Sequence, residues 1–166
     1  MPIGFGIVSK TEKYIDKKTQ KEKRRSTKTK NTMALEMIVQ AIKNQVKFKY
    51  VLFDAWFSSV ENLRLIKQKH KKDVICPIKS NRKVALSLAD KKNGRWVVVS
   101  TLEIQANTEL EIYLEGVEFP LKLIKQVFTN EDEIIGILYL ISSDTTLSFD
   151  QITTIYQRLR SGGNLP

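Results

Sequence analysis

Apolar residues recur at helical spacing between short apolar runs in the first half of the chain, and they alternate with polar ones in the second half. Ile3 to Val8 reads as a short strand. Leu35, Ile38, Val39, Ile42 and Val46 mark one face of a helix that Asn31 or Thr32 would cap, and that face is expected in a core. Val51, Leu52 and Phe53 suit a strand buried on both sides. Ser58 stands three residues before Glu61, so a capped helix starts there, packed through Val60, Leu63 and Ile66. Asp73 to Lys79 supplies the next strand, where Pro77 argues for a sheet edge or an early end. The pattern is β-α-β-α-β, and a right-handed crossover makes the last two strands parallel.

After Arg82 the period changes to two, with turn signals at Asn93-Gly94, Glu115-Gly116 and residues 129–132. Strands are expected from Trp96 to Ile104, Leu110 to Leu114, Val117 to Val127 and Ile134 to Ile141. Leu110, Ile112 and Leu114 against Val117, Phe119, Leu121 and Leu123 predict a hairpin. Ser148 and Gln151 form a second capping box, followed by a helical face of Ile152, Ile155, Tyr156 and Leu159, which Gly162-Gly163 ends. A chain of 166 residues is long enough for one domain. Its parts are an α/β core over residues 1–82, a β-rich insertion over 83–145 and a terminal helix over 148–160.

Charge changes the picture. With 28 Lys+Arg against 18 Asp+Glu the chain carries a formal charge of +10, which favours a polyanionic partner, nucleic acid first, over a merely solvated basic surface. Lys10 to Lys30 holds ten of the basic residues against three acids and only Tyr14 and Ile15 as large apolar residues, so a mobile loop is expected over 10–30. Lys23, Arg24 and Arg25 in it either track DNA phosphates or belong to a solvated connector. Cys76, the single cysteine, excludes an intrachain disulfide or a cysteine zinc site and fits a reducing cytoplasm. No stretch reaches the roughly 20 apolar residues of a membrane span, and no basic secretory start is present, so a soluble, cytoplasmic chain is expected.

Candidate chemistry centres on Asp54, which follows the apolar run Tyr50-Val51-Leu52-Phe53 at the strand's carboxyl end, where open α/β sheets place their sites. Asp144 is a second strand-end acid, read as a turn residue. His70, after Lys67-Gln68-Lys69, is expected to be exposed and receives no role. Trp56, Phe57 and Trp96 are read as core, the competing role being stacking on bases.

Three stretches together resemble insertion-sequence transposases of the DDE type, in the branch with a Tyr-x-x-Arg-x-x-x-Glu signature and a β-strand insertion. They are Tyr50 to Ser59, Lys79-Ser80-Asn81-Arg82 and Ile155-Tyr156-Gln157-Arg158. The resemblance implies a ribonuclease-H-like α/β fold, a mixed sheet with flanking helices. It also implies cutting and joining of DNA phosphodiesters with Mg2+ or Mn2+ held by carboxylates. By resemblance Asp54 is a buried catalytic metal ligand, and Lys79, Asn81, Arg82, Tyr156 and Arg158 contact DNA. The chain departs from the pattern: the signature's arginine and glutamate would fall at 159 and 163, where Leu159 and Gly163 stand, and no acid precedes the basic segment. If the codons of Ser161 to Asn164 permit, reading one base later would restore Val-Glu-Glu. These departures imply a fragment truncated at both ends and lacking its N-terminal strands, with weak or no metal binding and no strand transfer on its own. Its partners would be transposon-end DNA and full-length transposase. The alternative is a non-catalytic basic module that binds DNA or a transposase.

Overall fold

The computed structural model describes residues 8–129 and 135–160. The strand expected from Ile3, most of the turn at 129–132 and the end at Gly162-Gly163 lie outside them. The chain divides into two compact units, Met1–Lys47 and Phe48–Pro166.

In the first unit the segment expected as a mobile loop is a hairpin of β1 (Glu12–Ile15) and β2 (Glu22–Arg25), paired from Glu12↔Arg25 to Ile15↔Glu22. Every residue of both strands is exposed, so burial does not hold it. Asp16 does: its Oδ1 accepts from the amides of Lys18 and Thr19 at 2.9 and 3.2 Å, and its carbonyl accepts from Gln20 at 2.7 Å. Lys23 pairs with the same carboxylate, Arg25 with Glu12 and Lys13 with Glu22. The Lys23 ammonium, then the two amides, hold the Asp16 carboxyl below its ordinary value.

The helix α1 (Lys30–Lys43) follows, capped by Thr29, whose Oγ1 accepts from Thr32 N at 3.1 Å, and not by Asn31 or Thr32. The expected core face is corrected as well. No residue of α1 is buried: Leu35, Ile38, Val39 and Ile42 are only half-buried, and the described strands of its unit are wholly exposed and mostly charged.

The second unit is built on a seven-stranded sheet, which begins with β3 (Tyr50–Leu52), β4 (Asp73–Pro77), β9 (Ile135–Ser142) and β8 (Leu121–Thr129). It continues through β7 (Glu109–Leu114), β5 (Lys83–Ala85) and β6 (Val97–Val98). β3 and β4 are parallel, as the crossover predicts, and the other pairs are antiparallel. Ile75, Leu121, Leu123, Ile124 and Leu140 are fully buried at its centre. The helices α2 (Val60–Arg64), α3 (Leu88–Lys92) and α4 (Phe149–Arg160) complete a mixed α/β architecture consistent with a ribonuclease-H-like fold.

β4 stops at Pro77 as expected, but it is interior, not an edge. Ile78 N donates to Tyr139 O of β9 at 2.9 Å, so by alternation the missing N–H of Pro77 faces the other way, past the end of β3. Only Val97–Val98 of the strand expected from Trp96 to Ile104 pairs; residues Val99–Thr101 make a 3-10 turn. β5 and α3 are additions that the alternation did not reveal. The predicted hairpin forms between β7 and β8, from Glu109↔Ile124 to Ile112↔Leu121, with Val117 and Phe119 in its connection instead of its strand.

α2 is capped by Ser59, whose Oγ accepts from Asn62 N at 3.2 Å, while the expected Ser58 donates its hydroxyl to Ala55 O at 2.8 Å. α4 has its predicted capping box: Gln151 N donates to Ser148 Oγ at 3.3 Å and Ser148 N to Gln151 Oε1 at 2.9 Å. Its Ile152 and Tyr156 are buried in one cluster with Ile75, Ile124 and Leu140.

Candidate active-site edge

Because β3 and β4 run parallel, both release the chain at the same edge of the sheet. Phe53 N makes the last link of the ladder, to Ile75 O at 3.2 Å, and Asp54 then opens a 3-10 turn over Ala55–Phe57, its carbonyl accepting from Phe57 N at 3.0 Å. The Asp54 carboxylate makes no capping bond and faces solvent, which corrects the expected burial. The turn beneath it is fixed. Phe53 is buried and stacks on Phe57 at 5.8 Å between ring centroids, and Asn62 Nδ2 donates to Phe57 O at 2.8 Å.

Trp56 is not core: it is 82% exposed, since the turn uses Phe53 and Phe57 for packing and sends the residue between them outward. Phe57 and Trp96 are half-buried.

The chain leaves β4 through Lys79, Ser80 and Asn81, all exposed, into half-buried Arg82. Arg82 N donates to Lys79 O at 3.1 Å, and Ser100 N and Val99 N pin the turn from outside, each at 2.9 Å to the carbonyls of Ser80 and Arg82. Lys79 Nζ lies 5.8 Å from the Trp56 ring centroid, so the loops after β3 and β4 meet through these two side chains. Beside them, Glu61 is held below the ordinary carboxylate range by its own backbone N–H and the Ser59 hydroxyl, with Arg64 and Arg82 adding to the effect. Asp54, Lys79, Asn81 and Arg82 therefore belong to one edge.

Tyr156 is instead in the core cluster behind the sheet, and Arg158 is exposed on α4. Lys23, Arg24 and Arg25 lie on the exposed β2 of the other unit. Lys23 and Arg25 are engaged with Asp16 and Glu12, and Arg25 also lies 5.5 Å from the Tyr14 ring centroid, whereas Arg24 makes no ion pair among the described residues.

Asp144 belongs to the opposite end of the sheet, where antiparallel β9 leaves beside the start of β4; Ser143 N donates to Val74 O at 3.0 Å. Buried there, its Oδ2 accepts from Tyr50 Oη at 3.0 Å and Lys49 Nζ at 2.9 Å, and its Oδ1 from Thr146 N and Oγ1 at 3.1 and 2.6 Å. Burial alone would raise its pKa; the bonds from Thr146, Lys49 and Tyr50 outweigh that and hold it well below the usual range. No local pattern marks this network, whose members come from distant segments.

Among the described residues no group of three or more His, Cys, Asp or Glu converges as a metal site. Asp54 is one hard-oxygen donor, and Glu61 is committed to its helix terminus, so the described residues do not fit a two-ion centre. His70 is half-buried, not exposed, with Nε2 enclosed and without a hydrogen-bond partner among the described residues. Burial pushes the Cys76 thiol up to about 12, which makes it a core residue and not a nucleophile. No helix among the described residues is long and apolar enough to cross a membrane.

No curated protein matches the chain. A family model described as DDE superfamily endonuclease matches residues 9–97, which include Asp54 and the Lys79 to Arg82 turn and stop short of α4. With more than half of its 166 residues matched and an acid at the carboxyl end of a parallel strand, the chain belongs to the DDE superfamily endonuclease family.

Proposed function

We propose that this chain is the DNA-engaging part of a DDE transposase of the insertion-sequence type, acting on the ends of a mobile element in the cytoplasm. The single observation that carries the reading is the edge where the exposed Asp54 carboxylate makes no capping bond and shares the edge with Lys79, Asn81 and Arg82, within the matched residues. Asp54 would be one carboxylate of a divalent-metal site for Mg2+ or Mn2+, and the basic residues would hold the DNA backbone beside it. Among the described residues no three acids converge at that edge, and Glu61 beside it is held at its own helix terminus. The chain by itself is therefore proposed not to cut or join DNA, and full-length transposase is the partner that would complete it. Residues 83–145 are proposed as an insertion between the strand of Asp54 and the terminal helix over 148–160.

A second reading, a non-catalytic DNA-binding module, is favoured by the exposed basic hairpin, which is not part of that edge's unit. Both readings are tested by fluorescence anisotropy on duplex DNA from 50 to 200 mM salt, combined with cleavage assays in Mg2+ and Mn2+. Salt-sensitive binding without cleavage is the expected result. Absence of binding at low salt refutes both readings, and metal-dependent cutting abolished by Asp54→Ala refutes the incompleteness.

A further inference from the structure

Trp56 is the most exposed of the chain's large hydrophobic side chains among the described residues, at 82%, yet it sits on a hydrogen-bonded turn. The Phe53–Phe57 stack, the Ser58 hydroxyl on Ala55 O and the Asn62 amide on Phe57 O lock the backbone on both sides of it. A large aromatic side chain in water keeps its apolar area uncovered, and the backbone that carries it is already ordered before any ligand arrives. The ring lies two residues from Asp54, within about 7 Å along the backbone, and Lys79 contributes a positive charge next to it. Arg82 and Asn81 follow on the same turn.

We infer that Trp56, flanked by Lys79, is a stacking platform for one unpaired nucleobase of DNA bound at the Asp54 edge. The inference rests on the DNA-binding reading above and adds the base to the backbone. A flat π-face suits an indole ring, and a neighbouring ammonium suits the phosphate attached to that base. Paired bases inside a duplex have their faces covered by neighbours, so the platform accepts a base that is flipped, bulged or single-stranded. It discriminates by pairing state and not by sequence, because every base offers a π-face.

The test uses the full chain and two duplexes of equal length, one fully paired and one carrying a single unpaired 2-aminopurine, each end-labelled for anisotropy. The expected preference for the bulged duplex is about tenfold, with 2-aminopurine emission quenched on binding. Trp56→Ala should erase the preference and the quenching while leaving affinity for the paired duplex within about twofold, and Trp56→Phe should retain most of both. Because Trp56 packs against so little, neither variant threatens the fold.

Equal affinity of the wild type for both duplexes, or a preference that survives in Trp56→Ala, overturns the platform and leaves DNA binding standing. Failure to bind either duplex at low salt overturns DNA binding and the platform together. Emission of Trp56 that changes with protein concentration and not with DNA assigns the ring to contact between copies, which also overturns it.

Discussion

The Tyr50 hydroxyl donates a 3.0 Å hydrogen bond to the Asp144 carboxylate, joining the first residue of β3 to the turn after β9 across 94 positions of the chain. Lys49 and Thr146 complete the clasp. Removing the carboxylate leaves the half-buried Tyr50 hydroxyl without its acceptor, while the exposed Lys49 and Thr146 donors turn to water, so Asp144→Ala is expected to cost about 1 kcal/mol at pH 7 in urea unfolding. The sign of the pH dependence follows from the direction of the shift. The folded-state pKa lies below the unfolded value of about 3.9, so the stabilisation is complete above that value and is lost as pH falls toward the folded one. The stability gap between wild type and Asp144→Ala should therefore narrow between pH 5 and pH 2; a constant gap would refute the assignment.

Gly116 has φ +82°, and a Cβ there would meet Val60 Cγ2 at 3.2 Å. Substitution by alanine combines left-handed strain with a contact against the first turn of α2. Gly116→Ala should lower stability by about 1–2 kcal/mol. Gly94, at φ +67° with nothing within 4 Å of a Cβ, should lose less on the same change, and thermal unfolding of the pair separates strain from contact.

Tyr156 is 8% exposed in the cluster of Ile75, Leu140 and Ile152. Tyr156→Ala should destabilise the second unit by about 3 kcal/mol, through the cavity it opens. Any loss of DNA binding by this variant should track its unfolded fraction. Weakened binding at a temperature where circular dichroism shows it fully folded would restore Tyr156 as a DNA contact.

Arg24 differs from its neighbours on β2, which are already paired with acids. If the hairpin touches DNA, Arg24→Ala should reduce the slope of log K against log salt by about one, with little effect on melting. Lys23→Ala and Arg25→Ala should do less to the slope, because each frees a carboxylate and loses a cation already partly neutralised. An unchanged slope for all three would remove the hairpin from the DNA interface.

What the sequence could show depended on how far apart the stabilising groups lie. The Ser148–Gln151 box, the alternation through Leu110, Ile112 and Leu114 and the parallel strands before Asp54 and Lys79 are written within a few residues, and each appears in the structure. The β1–β2 hairpin was missed because an Asx turn and cross-strand ion pairs hold it, and apolar periodicity is blind to both. Trp56 was misread because adjacency to a core strand does not say which side of the following turn a ring takes. The Asp144 clasp gathers Lys49, Tyr50 and Thr146 only once β9 has docked, so it has no local signature.

That docking sets the order of assembly. β9 is made after β3 to β8, yet it fills the gap between β4 and β8. A nascent chain paused before Ile135 carries both of those strands with a bare ladder each, a template for pairing with other chains. The sheet therefore closes through its middle, and the ribosome must release the chain through Ser142 before the Asp54 edge has a finished sheet behind it.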